Sequence, residues 1–472
     1  VKSNARIFIL ALLLVMAAAV GVRAADKSDS TGHLWMNSSG SLLAAITAAV
    51  TMAFPPHGLG AGTAHADFSF TIPARRTDNS LRSAWHRRGM KLIHTLACAA
   101  LSLGILFQSR AESTPTVAKP AADQPVVQLA ILLDTSNSMD GLIAQAKTQL
   151  WNIVNEFATA KQDGKAPRVQ VALYQYGNNG LSKEKGWMQQ VLPLTDDLDK
   201  LSEQLFALKT NGGEEYCGWV IKDAVSELAW DASSKTYKAI FIAGNEPFTQ
   251  GPVSYVESCK GSIAKGIIVN TIHCGPEQQG IDGKWKDGAA LADGRYLVIN
   301  QDARIAHIAA PQDKDIAGLN SKLNSTYIGY GAGGSAGKER QEKQDANAAA
   351  APGGSTVLAT RALSKSSANY SNSGWDLVDR AKAKDFDISK LKDEELPEEM
   401  RKLNAEERKA YIVKKTAERE ALQKELGALA KEREKFVAEK MKETGKDTSL
   451  GAAVTGAVRE QASKKGVVFE KK

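Results

Sequence analysis

One stretch constrains this chain more than any other. Residues 126–134 read VVQLAILLD, an almost continuous apolar run that ends in a carboxylate. It has the length of a strand, is too short for an ordinary helix, and is apolar enough to be covered on both sides. Similar runs recur at 169–176 and 237–243, at 267–274, and briefly at 296–300, with an edge strand at 187–194. Between them, residues 141–160, 216–230 and 252–265 carry helical period. Buried strands alternating with amphipathic helices predict an α/β fold with a doubly wound, mostly parallel sheet covered on both faces.

The rest of the chain is read around that domain. Its 472 residues are 43% hydrophobic and 24% charged with four cysteines, which excludes wholesale disorder, collagen-like repeats and a disulfide-dense mini-protein. A net charge of +7 suggests nucleic acid or a membrane surface until it is divided by position. Residues 1–111 hold 11 Lys and Arg against 4 Asp and Glu, and the remaining 361 residues hold 49 of each. The positive charge belongs to the amino-terminal region, and no nucleic-acid partner is expected.

That region reads as addressing sequence. Met90 and Lys91 open a basic stretch, residues 92–107 are apolar, and Ser109-Arg110-Ala111 places small residues where a bacterial-type signal peptidase needs them. An earlier run at 7–20 has the same grammar. Two readings stay open: translation from Met90 with 1–89 an upstream extension, or a real leader followed by a second apolar segment acting as an anchor. The second run is shorter than the ~20 residues a spanning helix usually needs, and Thr95-Leu96-Ala97-Cys98 is a poor lipobox. Either reading places the remainder in the periplasm or outside the cell, with a membrane involved only if the apolar segment is retained.

The expected organisation is then a signal at 90–111, a Pro, Ala and Thr-rich tether at 112–125, the α/β domain at 126–328, a Gly/Ala-rich linker at 329–368 and a mainly helical region at 369–472. The linker holds two decoys. Gly329, Gly331 and Gly334 mimic a dinucleotide fingerprint and residues 333–337 a hydrolase nucleophile elbow, but no strand feeds either. Tyr370, Trp375 and Leu377 are candidate docking side chains. Residues 404–443 form one long charged helix with Asn404 and Glu407 as an N-cap pair. Leu422, Leu426, Leu429 and Phe436 give it a narrow seam, interrupted by Arg433, that suits either its own domain or a coiled coil.

The chemistry lies in Asp134-Thr135-Ser136-Asn137-Ser138. An Asp at the carboxyl end of a central strand, followed by hydroxyls two and four residues on, sends three oxygens into one crevice. Hard divalent cations take such ligands, and open α/β sheets bind ligands at that edge. Asp and Ser also cap helices, so capping is the plainer reading, and the two can coexist.

With its Asp-x-Ser-x-Ser motif between a buried strand and a helix, the chain resembles the von Willebrand factor type A domain and its metal-ion-dependent adhesion site over roughly residues 126–300. The resemblance implies six strands with one antiparallel edge, and Mg2+, Mn2+ or Ca2+ at the top of the sheet, completed by an acidic group from a partner. Asp134, Ser136 and Ser138 match the first metal loop. In the second loop Glu214 stands where the family has Thr, Thr210 lying too early, and in the third Asn245 replaces an Asp.

An oxidising compartment favours one disulfide among Cys217, Cys259 and Cys274. Rise per residue puts Cys259 and Cys274 ~15 Å apart, too far to bridge, so Cys217 is the expected partner of either. The leading functional reading is a non-enzymatic, extracytoplasmic module that holds a protein or peptide through a divalent metal. Two others stand beside it: a metal-dependent hydrolase with Glu214, Glu215 or Glu246 as base, and a structural cell-envelope protein without metal.

Overall fold

The computed structural model describes residues 124–302, 307–444 and 449–470. The addressing sequence and nearly all of the tether lie outside the described residues. From the amino end run β1 (Val126–Asp134), α1 (Asp140–Asn155), β2 (Lys161–Gln162), β3 (Arg168–Tyr176), β4 (Gln189–Thr195), α2 (Leu198–Ala207), α3 (Cys217–Glu227) and β5 (Tyr237–Gly244). Then come α4 (Tyr255–Ala264), β6 (Ile268–Cys274), α5 (Glu277–Asp282), α6 (Trp285–Leu291), β7 (Tyr296–Ile299) and α7 (Asp313–Asn324). The carboxyl-terminal region holds α8 (Gly334–Ala350), α9 (Gly354–Lys365), α10 (Leu377–Arg380), α11 (Glu398–Arg401), α12 (Ala405–Thr444), α13 (Leu450–Ser463) and β8 (Val467–Val468).

Six strands form one sheet in the order β4-β3-β1-β5-β6-β7, all parallel except the edge strand β4. This is the doubly wound architecture expected, and β1 lies inside it because both of its faces are apolar. Val127, Leu129 and Leu133 join α1 in one core, and Ala130 and Leu132 join α3 in the other. Burying each such Val or Leu contributes roughly 1.5–3 kcal/mol, so a polar strand could not take this place. The parallel strands bring the ends of β1, β3 and β5 to one edge, where the loops after them converge.

The carboxyl-terminal region departs from expectation. Residues 329–368 are no linker: they carry α8 and α9, packed against α1, α2 and α7. Ala and unbranched polar residues favour helix, and the buried face of α8 is made of groups that apolar counting ignores. Gly337 lies flat against the Trp375 indole, and Gln341 and Gln344 are fully buried. Gln341 donates to the Tyr370 hydroxyl at 3.0 Å, and Gln344 accepts from Ser202 at 2.9 Å. Both glycine decoys fall in the turn before α8 and in its first residues, without a strand feeding them.

Ionic contacts tie this region to the domain. Arg361 on α9 is fully buried, donating to Asp199 of α2 and Asp345 of α8 at 2.6 Å each and stacking over Trp151 of α1 at 4.7 Å. Lys365, also fully buried, bonds Asp345 at 3.1 Å. Part of the seam on α12 closes on its own domain: Leu426 is buried, with Leu422 and Leu429 packed beside it, and Arg433 pairs with Asp313 of α7 at 2.7 Å. Finally α13 packs on α1, with Gln461 and Asn270 of β6 exchanging amide hydrogen bonds of 2.6 and 3.0 Å. Among the described residues no helix is long and apolar enough to cross a membrane.

Candidate metal site

At the end of β1 the chain turns because the Ser136 N–H donates to Asp134 Oδ1 at 2.8 Å, while the Thr135 N–H still reaches the Tyr176 carbonyl at 2.8 Å. Ser136 Oγ and Ser138 Oγ then stand 3.3 Å apart. Neither the short 3-10 turn Asn137–Met139 nor α1 takes a side-chain cap. The hydroxyls are therefore not used as the plainer reading requires. From the end of β5, Asn245 Nδ2 donates to Ser138 Oγ at 3.1 Å.

Two oxygens in this crevice lack partners. Asp134 is fully buried and its Oδ2 makes no well-formed hydrogen bond among the described residues, the Asn245 N–H giving the carboxyl only weak support; Asn245 Oδ1 is buried and orphaned likewise. Burial raises the Asp134 carboxyl to about 7, and Glu246 adds to the rise against the hydrogen bonds of Ser136. An orphaned buried oxygen is costly unless something positive completes it.

The loop after α2 brings the other acids, though not as the sequence suggests. Thr210 donates its hydroxyl to Asp140 at the start of α1. Glu214 is exposed, and the buried acid is Glu215. A Cβ placed on Gly177 would meet Asp134 Oδ1 at 2.8 Å and Glu215 Cγ at 2.9 Å, so the two side chains flank one point. Burial first, then Asp134 and Glu246, push Glu215 up to about 8. Its N–H donates to Gln250 Oε1 at 3.0 Å. Gly213 abuts the Gly177 carbonyl, 2.6 Å from where a Cβ would stand, and this backbone contact selects which glutamate turns inward. Sequence reasoning also missed Gln301, whose Nε2 holds the Ser138 carbonyl at 2.8 Å, and the exposed Asp302 beside it. Both lie beyond β7 and carry no local signal.

Gly177 yields a test of this geometry. Its φ is +72°, and a methyl group there would strike both acids. Gly177→Ala should destabilise by roughly 1–3 kcal/mol. Gly164→Ala is the control, since its φ is +77° with open space around it. Urea unfolding of both variants separates collision from backbone strain; equal losses would mean that the acids are not held as described.

Residues 128–277 match the family model of the von Willebrand factor type A domain. The chain contains such a domain. Similar solved structures include the conserved hypothetical protein BatB from Bacteroides thetaiotaomicron, with 18% identity over 37% of this chain and 90% of that one, at a TM-score of 0.28. An aerotolerance-related membrane protein from Bacteroides fragilis has 17% identity over 37% and 93%, at 0.26. Proximal thread matrix protein 1 from the mussel byssus has 13% identity over 36% and 46%, at 0.25. No curated protein matches the chain.

Among the described residues of the type A domain, no three His, Cys, Asp or Glu side chains are gathered into a group that could hold a metal by themselves. A site here draws on hydroxyl and amide oxygens as well as carboxylates. The expected disulfide is not formed. Cys217, Cys259 and Cys274 are buried free thiols, the first two in the core on one face of the sheet and the third in the core on the other. They act as small apolar packers, and burial pushes the Cys259 thiol up to about 12.

Proposed function

We propose that the type A domain holds a protein partner, outside the cytoplasm, through a divalent cation at the carboxyl end of β1. Domains of this type typically mediate protein–protein interaction. The observation that carries the metal reading is Asp134 Oδ2, a fully buried carboxylate oxygen without a partner, set among Ser136, Ser138 and the orphaned Asn245 Oδ1. Hard cations are bound by such oxygens, and a neighbouring positive charge is what a buried carboxylate lacks. The location rests on the addressing sequence at 90–111.

Asp134, Ser136 and Ser138 would hold the ion, with Asn245 acting through water and Glu215, in place of the exposed Glu214, supplying charge at its side. Mg2+ or Mn2+, when bound, supplies positive charge and an open position for an oxygen of the partner. The chain positions that oxygen set by backbone bonds: Ser136 N–H to Asp134, and Gln301 to the Ser138 carbonyl.

Thermal unfolding in chelator, then with Mg2+, Mn2+ or Ca2+, tests this. At ~100 times its dissociation constant an ion adds ~2.7 kcal/mol, a rise in Tm of several degrees. Asp134→Ala should lose that response; comparing the variant with and without each ion cancels the loss of the Ser136 hydrogen bond that the substitution also removes. A wild type indifferent to every ion would sink the proposal.

A further inference from the structure

The loops around the proposed ion carry an unusual charge for a surface meant to receive a carboxylate. Glu215 is inside, beside Asp134, and the rim adds Asp140 from α1, Glu214 from the loop after α2, Glu246 after β5 and Asp302 after β7. Asp140, Glu214 and Asp302 are exposed, and Glu246 is half-buried. Two bases stand near them: Lys209, exposed on the Glu214 loop with its carbonyl held by Asn178 at 2.9 Å, and Lys147 of α1, which faces Asp140 and donates to the Leu208 carbonyl at 3.4 Å. The orphaned Asp134 Oδ2 points to a cation within this ring. Two internal carboxylates already match a divalent charge, and the rim makes the surroundings negative even with the ion in place. An incoming carboxylate would meet no net attraction there, whereas a neutral oxygen donor flanked by ammonium or guanidinium groups would.

We infer that Glu215 supplies from within this chain the charge that an acidic partner would otherwise bring, and that the partner is a basic polypeptide offering a neutral oxygen to the ion and Lys or Arg side chains to Asp140, Glu214, Glu246 and Asp302. This inference rests on the metal reading above. Charge sets the attraction, so it weakens with salt.

The test is calorimetric titration of the full chain with Mn2+ alone, and then, at saturating Mn2+, with hexalysine and with hexaglutamate at low and high salt. Mn2+-loaded wild type should take hexalysine at low salt and release it at high salt, and should ignore hexaglutamate. Glu215→Gln, which keeps the side-chain shape, should weaken Mn2+ at least tenfold and, once saturated, admit hexaglutamate. The double variant Glu214→Gln/Asp302→Asn should weaken hexalysine at least fivefold with Mn2+ affinity unchanged; melting curves verify that each variant is folded. Mn2+-dependent capture of hexaglutamate by wild type, or unchanged Mn2+ affinity in Glu215→Gln, overturns the inference while the metal reading stands. Failure of wild type to take up Mn2+ at all removes both.

Discussion

Asp345→Ala is expected to destabilise the protein by about 3–5 kcal/mol, the range for breaking a buried ion pair from one side. Asp345 on α8 accepts from Arg361 and Lys365 of α9 and from Asn320 and Asn324 of α7, the two amides at 2.7 Å. Without it, one fully buried guanidinium keeps only part of its partners and one fully buried ammonium keeps Asn324 alone. Urea denaturation measures the loss. Were 329–368 a linker, the change would stay within about 0.5 kcal/mol, so the same experiment decides whether α8 and α9 belong to the fold. Acid unfolding adds a second readout. Burial works to raise this carboxyl, but Lys365 and Arg361 outweigh it and hold it down at about 2. A carboxyl depressed in the folded state stabilises above its unfolded value near 4 and loses that stability as pH falls through its folded value. Roughly 2 kcal/mol should therefore disappear between pH 4 and 2 in wild type and be missing from the Asp345→Ala curve.

Arg419→Ala should have an effect of similar size, about 3–5 kcal/mol, at the docking point of α12. The guanidinium reaches Asp376 at 2.7 and 3.2 Å, Asp379 at 3.2 Å and the Thr326 carbonyl at 2.8 Å, and lies 3.8 Å over the Tyr327 ring. Truncation leaves two buried carboxylates side by side. Arg419→Lys should recover little, since a point charge reproduces neither the bidentate fork nor the stacking. Arg419→Ala combined with Asp376→Asn should recover part of the loss by removing one stranded charge. If Arg419→Ala unfolds at the wild-type urea midpoint, α12 is not anchored here, and its seam is left for another helix.

These two arginines show where composition misleads. Residues 334–350 look too polar to bury, yet Gln341, Gln344 and Asp345 meet partners outside their own helix, on α2, α9 and the 366–376 loop, between 16 and 142 residues away. A buried polar face is stable only when its partners are in place, and partners distant in sequence leave no local pattern. The cysteines show the same limit: the expected compartment suggested a bridge from Cys217, while all three thiols are free and the sheet places Cys274 on the face opposite Cys217 and Cys259. In the candidate site, the first loop was legible because Asp134, Ser136 and Ser138 are neighbours in sequence. The choice between Glu214 and Glu215 was not, because consecutive residues of an extended loop point opposite ways and the packing of Gly213 on Gly177 makes the choice.

By itself the sequence determined the α/β architecture, because strand and helix periods are local and a run such as 126–134 is stable only when covered on both faces. It also determined that an Asp and two hydroxyls stand together at a strand end. Tertiary structure alone decided that Glu215 joins them, that four further acids ring the crevice, and that the polar helices of the carboxyl-terminal region are part of the core. Each of these depends on groups brought together from distant elements, whose attraction exists only after the sheet has set their distances.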